Sequence, residues 1–115
     1  IMLNKDACSY CIMPISDLRF GAEAITTKGR VYKFDDIHCL INYQNENTEV
    51  QFEAIWVCDF NSPNDFLKVD SAFFLKSEKF NSPMGGNTPA FHSLEKLREI
   101  ANNDTAMPLK WNKLK

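Results

Sequence analysis

Apolar and polar positions alternate from the eighteenth residue onward. Leu18, Phe20, Ala22 and Ala24 fall on one face, with Arg19 and Glu23 on the other, and Arg30-Val31-Tyr32-Lys33-Phe34 resumes the alternation after the turn signal Thr27-Lys28-Gly29. A period of two broken by such a turn predicts a β-hairpin. The period then changes: Ile37, Leu40, Ile41 and Gln44 share a helical face, preceded by the N-cap candidates Asp35 and Asp36 and stopped near Asn45-Glu46-Asn47. Residues 51–60 return to strand character, with Phe52, Ala54, Trp56 and Cys58 alternating with Glu53, Ile55 and Val57, and Asn61-Ser62-Pro63-Asn64-Asp65 closes them as a turn. This first unit reads ββαβ.

The second half repeats the order more loosely. Residues 69–76 read as a strand, a Gly/Pro-rich loop over 81–87 leads to a short strand ending at Phe91, and Ser93 caps a helix whose buried stripe is Leu94, Leu97 and Ala101. The tail, 105–114, is expected as a last strand held to an edge by Pro108. Laid over one another, 31–37 and 88–94 both end a strand on an aromatic residue, place a capping residue two positions on, and continue into an apolar helix face. The expected fold is α+β: two similar ββαβ units, each with a small antiparallel or mixed sheet and one helix. The division is a 1–17 arm, a first unit over 18–62 and a second over 63–115, together one domain.

Composition refines this picture modestly. The 115 residues are 44% hydrophobic and 24% charged, which argues against disorder and fibrous repeats. Thirteen basic against fifteen acidic residues leave a net charge of −2, so no electrostatic footprint for nucleic acid is implied. No apolar run approaches the ~20 residues that span a bilayer, and no signal peptide is present. Four cysteines are too few for a disulfide-dense scaffold, and their uneven placement suits a site better than a framework.

The sharpest chemistry lies in the arm, Cys8-Ser9-Tyr10-Cys11-Ile12-Met13, a C-x-x-C-x-M string. Thiolate and thioether sulfurs are soft donors that suit Cu(I) far better than Mg²⁺ or Ca²⁺. A C-x-x-C pair alone also serves zinc sites, redox dithiols and structural disulfides. A zinc ribbon would need a second C-x-x-C, whereas His38-Cys39 are adjacent on the predicted helix and point about 100° apart. A thioredoxin-type pair would sit between a strand and a helix start, and Cys8-Cys11 does not. A second feature is Asn81-Ser82-Pro83-Met84-Gly85-Gly86. A lone loop methionine normally tucks into a core. Beside the first string, Met84 is a credible extra thioether delivered from the second half.

In this order, Cys8-x-x-Cys11-x-Met13, Arg19-Phe20 with Ala22-Glu23, Phe34-Asp35-Asp36-Ile37-x-Cys39, Trp56-Val57-x-Asp59-Phe60 and Pro83-Met84-Gly85 resemble the NosL family over nearly the whole chain. The resemblance implies a NosL/MerB-like pair of ββαβ units and a non-enzymatic Cu(I) metallochaperone for nitrous oxide reductase maturation in denitrification. It also implies a periplasmic or cell-envelope address and membrane attachment only through a lipid anchor that these residues lack. The implied copper ligands are Cys8, Cys11, Met13 and Met84, and the implied partner is a copper-receiving client or its assembly machinery. One departure stands out: Ile12 occupies a position that is often glycine in the family.

His38 and Cys39 are secondary ligand candidates. Cys58 is expected as a small core residue and His92 as a neighbour of the Ser93 cap. Met2 and Met107 are expected bystanders, and Asp35 and Asp36 capping residues. Rivals to the copper reading are a thiol-disulfide protein using Cys8 and Cys11, a structural zinc domain held by Cys8, Cys11, Cys39 and His38, and a cysteine-based lyase or transferase, for which the sequence places no general base.

Overall fold

The turn at Thr27-Lys28-Gly29 joins two strands in the computed structural model, which describes residues 6–15, 17–62, 65–77, 80, 82, 86–102 and 107–114, side chains of 112 and 113 excepted. Strand β1 (Ala22–Thr26) pairs antiparallel with β2 (Val31–Phe34), from Ala22 opposite Phe34 to Ile25 opposite Val31. Gly29 makes this turn at φ 85°, where a side chain would be strained, and its N–H donates to the Thr26 carbonyl. Leu18–Phe20 does not extend β1. It forms a 3₁₀ turn capped by the Asp17 carboxylate, which accepts from the Arg19 N–H.

Helix α1 (Ile37–Glu46) follows, and the two adjacent aspartates before it divide their roles. Asp36 is the N-cap and accepts from the His38 N–H at 2.9 Å, whereas Asp35 points elsewhere. Strand β3 (Phe52–Cys58) lies antiparallel to β1, and β4 (Phe66–Lys68) adds to its far side, so the sheet runs β2-β1-β3-β4. The inward face of β3 departs from simple alternation. Ile55 and Val57 stand opposite Ala24 and Ala22, and a register shift between Ile25 and Thr26 then sets Phe52 opposite Thr26. That bulge turns Phe52 toward Tyr32 and Tyr43, with ring centroids 5.9 and 6.1 Å away, and leaves Glu53 exposed.

In the second half, the strand expected over 69–76 is divided. Val69–Ser71 is a 3₁₀ turn that buries Val69, and β5 is only Phe73–Phe74, paired antiparallel with β6 (Ala90–Phe91). Helix α2 (Leu94–Ala101) is capped by Ser93, whose hydroxyl accepts from the Lys96 N–H, and it ends on Asn102 in the left-handed region. The expected final strand reduces to a bridge between Leu109 and Phe74, after which Trp111–Leu114 forms the short helix α3. Pro108 supplies no N–H for a longer ladder.

The main core gathers Ala22, Ala24, Phe34, Ile37, Leu40, Val57, Phe74 and Trp111, so both halves contribute to it. A second cluster joins Phe20, Phe80, Phe91 and Leu97. Burying the larger of these side chains, such as Phe34, Ile37, Leu40 and Val57, stabilises by roughly 1.5–3 kcal/mol each. Cys8 and Cys39 belong to the main cluster, which fixes where the site forms.

Candidate metal centre

The arm is bonded first to itself. Ile15 N–H donates to the Asp6 carbonyl, Cys8 N–H to Met13, and Ile12 N–H to Cys8, which closes residues 6–15 into one tight loop. That loop is then fastened to the edge of the sheet. Ser9 N–H donates to the Lys33 carbonyl, the Ser9 hydroxyl accepts from the Lys33 N–H, and the Lys33 ammonium pairs with Asp6. Tyr10 reaches across to α1 and donates its hydroxyl to the Glu46 carboxylate.

Folded this way, the loop lays its thiols against the start of α1. One sulfur from each of Cys8, Cys11 and Cys39 and one oxygen from Asp35 all lie within 4.8 Å of one another. Cys8, Cys39 and Asp35 are buried and Cys11 is partly exposed. The Cys11 thiol donates to Asp35 Oδ1 at 3.5 Å, and the Cys39 sulfur lies at the same distance from that oxygen. All four cysteines are free thiols.

These thiols are not electrically equivalent. The Cys39 thiol donates to Cys8, and the backbone N–H groups of Cys11, Asp35 and Tyr10 add to it, so Cys8 lies well below the ordinary thiol range despite its burial. Cys39 is pushed far up by the same bond to Cys8 and by burial. Burial also lifts Cys11 to about 11. Asp35 rises to about 6, first from burial and then from the negative charge on Cys8. The centre therefore holds one ready thiolate, two protonated thiols and a carboxylate that can take up a released proton.

The candidate ligands are placed unequally. Cys8 and Cys11 meet, and Cys39 joins them. Met13 stands at the rim, 59% exposed. Met84 lies outside the described residues, as does Met2. Gly86, two positions after Met84, is buried against α1 and directs its N–H to Asp36 Oδ2 at 3.4 Å. His38 is exposed and shares a hydrogen bond with Asn42, so it does not face the cluster. Cys58 is buried and outside the four-residue group, with its pKa raised to about 11 by burial. His92 bonds to buried Asp59 at 2.7 Å on another part of the surface. Asp35 was expected as a cap. A second aspartate beside it was the available signal that one of the two was free for other work.

Ile12 carries the cost of the loop's geometry. It sits at φ 68°, a conformation that a β-branched residue occupies at a cost of about 1–3 kcal/mol. Its side chain is 70% exposed, so little packing offsets that cost. Ile12→Gly should raise stability by about 1 kcal/mol after the extra chain entropy glycine loses, and thermal denaturation of the two proteins side by side measures it. An unchanged or lower melting temperature would contradict the strain.

A cluster of three thiols and a carboxylate on this α+β scaffold is the arrangement of a sulfur-rich metal-binding domain. The NosL family profile matches residues 2–105, and the chain belongs to the NosL family. In fold it is similar to the crystal structure of the copper chaperone NosL from Shewanella denitrificans, with a TM-score of 0.81 at 15% identity over 98% of this chain and 92% of that one. Among curated proteins none matches the sequence. No described helix is long and apolar enough to cross a membrane.

Proposed function

We propose that this chain is a metallochaperone that captures Cu(I) and passes it to a client protein. The observation that carries this reading is the convergence of the Cys8, Cys11 and Cys39 sulfurs with Cys8 already in its thiolate state. A thiolate is the form that binds metal, and soft sulfur donors favour a monovalent d¹⁰ ion. Family membership and the copper-chaperone fold neighbour support copper in particular.

Cys8 takes the ion first, without releasing a proton. Cys11 closes on it as its proton leaves, with Asp35 Oδ1 placed to receive that proton. Met13 at the rim and Met84 from the second half supply neutral thioethers, which hold copper without locking it. Cys39 donates to Cys8 and is available as a further sulfur. Release is ligand exchange with an incoming sulfur donor at the exposed Met13 side. No substrate bond is made or broken, so the protein acts without catalysis. The expected client is nitrous oxide reductase or its assembly machinery, and the expected setting the cell envelope, with attachment through a lipid anchor.

Titration with Cu(I) under reducing conditions tests the reading, with X-ray absorption counting the sulfur neighbours. One equivalent bound through sulfur is expected, weakened by Cys11→Ser and by Met84→Ala. Affinity that survives both changes would remove the site. Cys58→Ala should leave affinity within about twofold, because that sulfur is packed away from the centre; a tenfold loss would mean that β3 contributes a ligand.

Asp35 favours one second reading. Three thiolates and a carboxylate oxygen also match a tetrahedral zinc site. A structural zinc ion would make the fold depend on it, so chelators would unfold the protein. The chaperone reading expects the apo protein to stay folded on its two core clusters.

A further inference from the structure

The centre is divided between two bodies. Cys8, Cys11 and Met13 ride on the self-bonded loop, whereas Asp35 and Cys39 belong to the beginning of α1. The loop's hydrogen bonds to the sheet run to Lys33 of β2. Between loop and helix, the Cys11 thiol reaches Asp35 Oδ1 only at a long 3.5 Å, and the Cys39 thiol donates to Cys8. The Tyr10–Glu46 bond is of a stronger kind, a phenol hydroxyl donating to a carboxylate.

Its position gives it leverage. Cys39 is the third residue of α1 and Glu46 the last, which separates them by about 10 Å along the axis. Tyr10 stands between the two cysteines of the motif. The loop is thus gripped at both ends of one helix: by sulfur at the beginning and by the tyrosine at the end. Glu46 is exposed, so water can reach the bond, whereas the partly buried Tyr10 also packs against the main core.

We propose that Tyr10 and Glu46 form a latch that positions the C-x-x-C loop against α1 and sets how fast the centre exchanges its metal. Neither residue touches the ion; both act by holding Cys8 and Cys11 over Cys39 and Asp35. A client that engaged the loop would compete with the latch and speed release from the same ligand set. This inference rests on the copper reading above.

The test is transfer of Cu(I) from the loaded protein to a chromophoric Cu(I) chelator, followed by stopped flow, with X-ray absorption on each loaded variant. Tyr10→Phe and Glu46→Ala should each raise the transfer rate about threefold to tenfold, the range expected for one lost hydrogen bond. The double variant should be no faster than either single one. Glu46→Gln, whose amide oxygen still accepts from the phenol, should return the rate to within twofold of wild type. The sulfur count should stay the same throughout, separating a latch from a ligand.

Rates within twofold of wild type for both Tyr10→Phe and Glu46→Ala would overturn the latch while leaving the copper reading intact. So would a Glu46→Gln protein as fast as Glu46→Ala. A wild-type protein that takes up no Cu(I) would overturn the copper reading and the latch with it.

Discussion

Cys8→Ser should abolish tight Cu(I) binding, with affinity falling at least about a hundredfold, while the protein stays folded. Cys8 is the thiol that the surroundings have already ionised: Cys39 donates to it, and backbone N–H groups of Cys11, Asp35 and Tyr10 add to the stabilisation. Serine preserves the size of this buried side chain and can accept from the same donors. Its hydroxyl, however, is a hard donor that stays protonated at neutral pH, so it cannot replace a soft thiolate. Cys11→Ser is expected to cost less, because Cys11 is held protonated and must give up its proton on binding. A competition titration on the three proteins measures the order, and a Cys8→Ser protein with wild-type affinity would refute it.

The same asymmetry fixes a pH dependence. Folding depresses the Cys8 pKa, so its contribution to stability is fully present above the unfolded thiol value of about 8.5 and fades as pH falls toward the folded value. Relative to Cys8→Ser, the wild-type apo protein should therefore gain stability as pH rises toward that value. Its thiolate absorbance should persist into mildly acidic solution and vanish in the variant. Copper uptake carries a second signature. Cys8 releases no proton near neutrality, but each added thiol, Cys11 or Cys39, releases one. Affinity should thus rise about tenfold per pH unit between pH 7 and 8.5 when one of them joins, and a flat profile would leave Cys8 with thioethers alone.

Local signals carried much of the fold. The hairpin turn at Gly29, the Ser93 cap, the α1 stripe of Ile37 and Leu40 and the β6–α2 order all depend on neighbours within a few residues, and all are present. The misread elements depend on distant partners. Phe52 faces inward because β3 carries an extra residue, Glu53, against β1, and Phe66–Lys68 becomes a strand because β3 offers it an edge. The site divides in the same way. C-x-x-C-x-M is contiguous and visible as a motif. Cys39 lies off the apolar stripe of its helix, and the thiols that meet it come from the arm, some thirty residues earlier. Asp35 resembles a second cap until Asp36 is seen to fill that position. No periodicity in 31–40 announces a carboxylate set among three thiols.

Gly86→Ala is the other change expected to have a large effect, and it tests whether the second half reaches the centre. A β-carbon at Gly86 would lie 2.5 Å from His38 Cβ and 2.7 Å from Asp36 Oδ1. His38 Cβ is fixed to the helix backbone and cannot swing away, and Asp36 is bound to its capping role. The loop must retreat or the cap must break, at a cost of about 2 kcal/mol. Ser82 and Asn87 clamp the loop's base, with the Asn87 N–H donating to Ser82 Oγ at 2.7 Å and the Ser82 N–H to Asn87 Oδ1 at 3.1 Å. A retreat at Gly86 would therefore strain the Ser82–Asn87 clamp, whose two residues flank Met84 in the sequence. Copper affinity should fall about tenfold or more in Gly86→Ala. Met84→Ala should show a similar affinity loss at nearly unchanged thermal stability, because it removes the thioether and leaves the backbone docking to α1 intact. If Gly86→Ala loses stability while copper affinity holds in both variants, Gly86 only buttresses α1, and the ion is held by the amino-terminal loop and Cys39 alone.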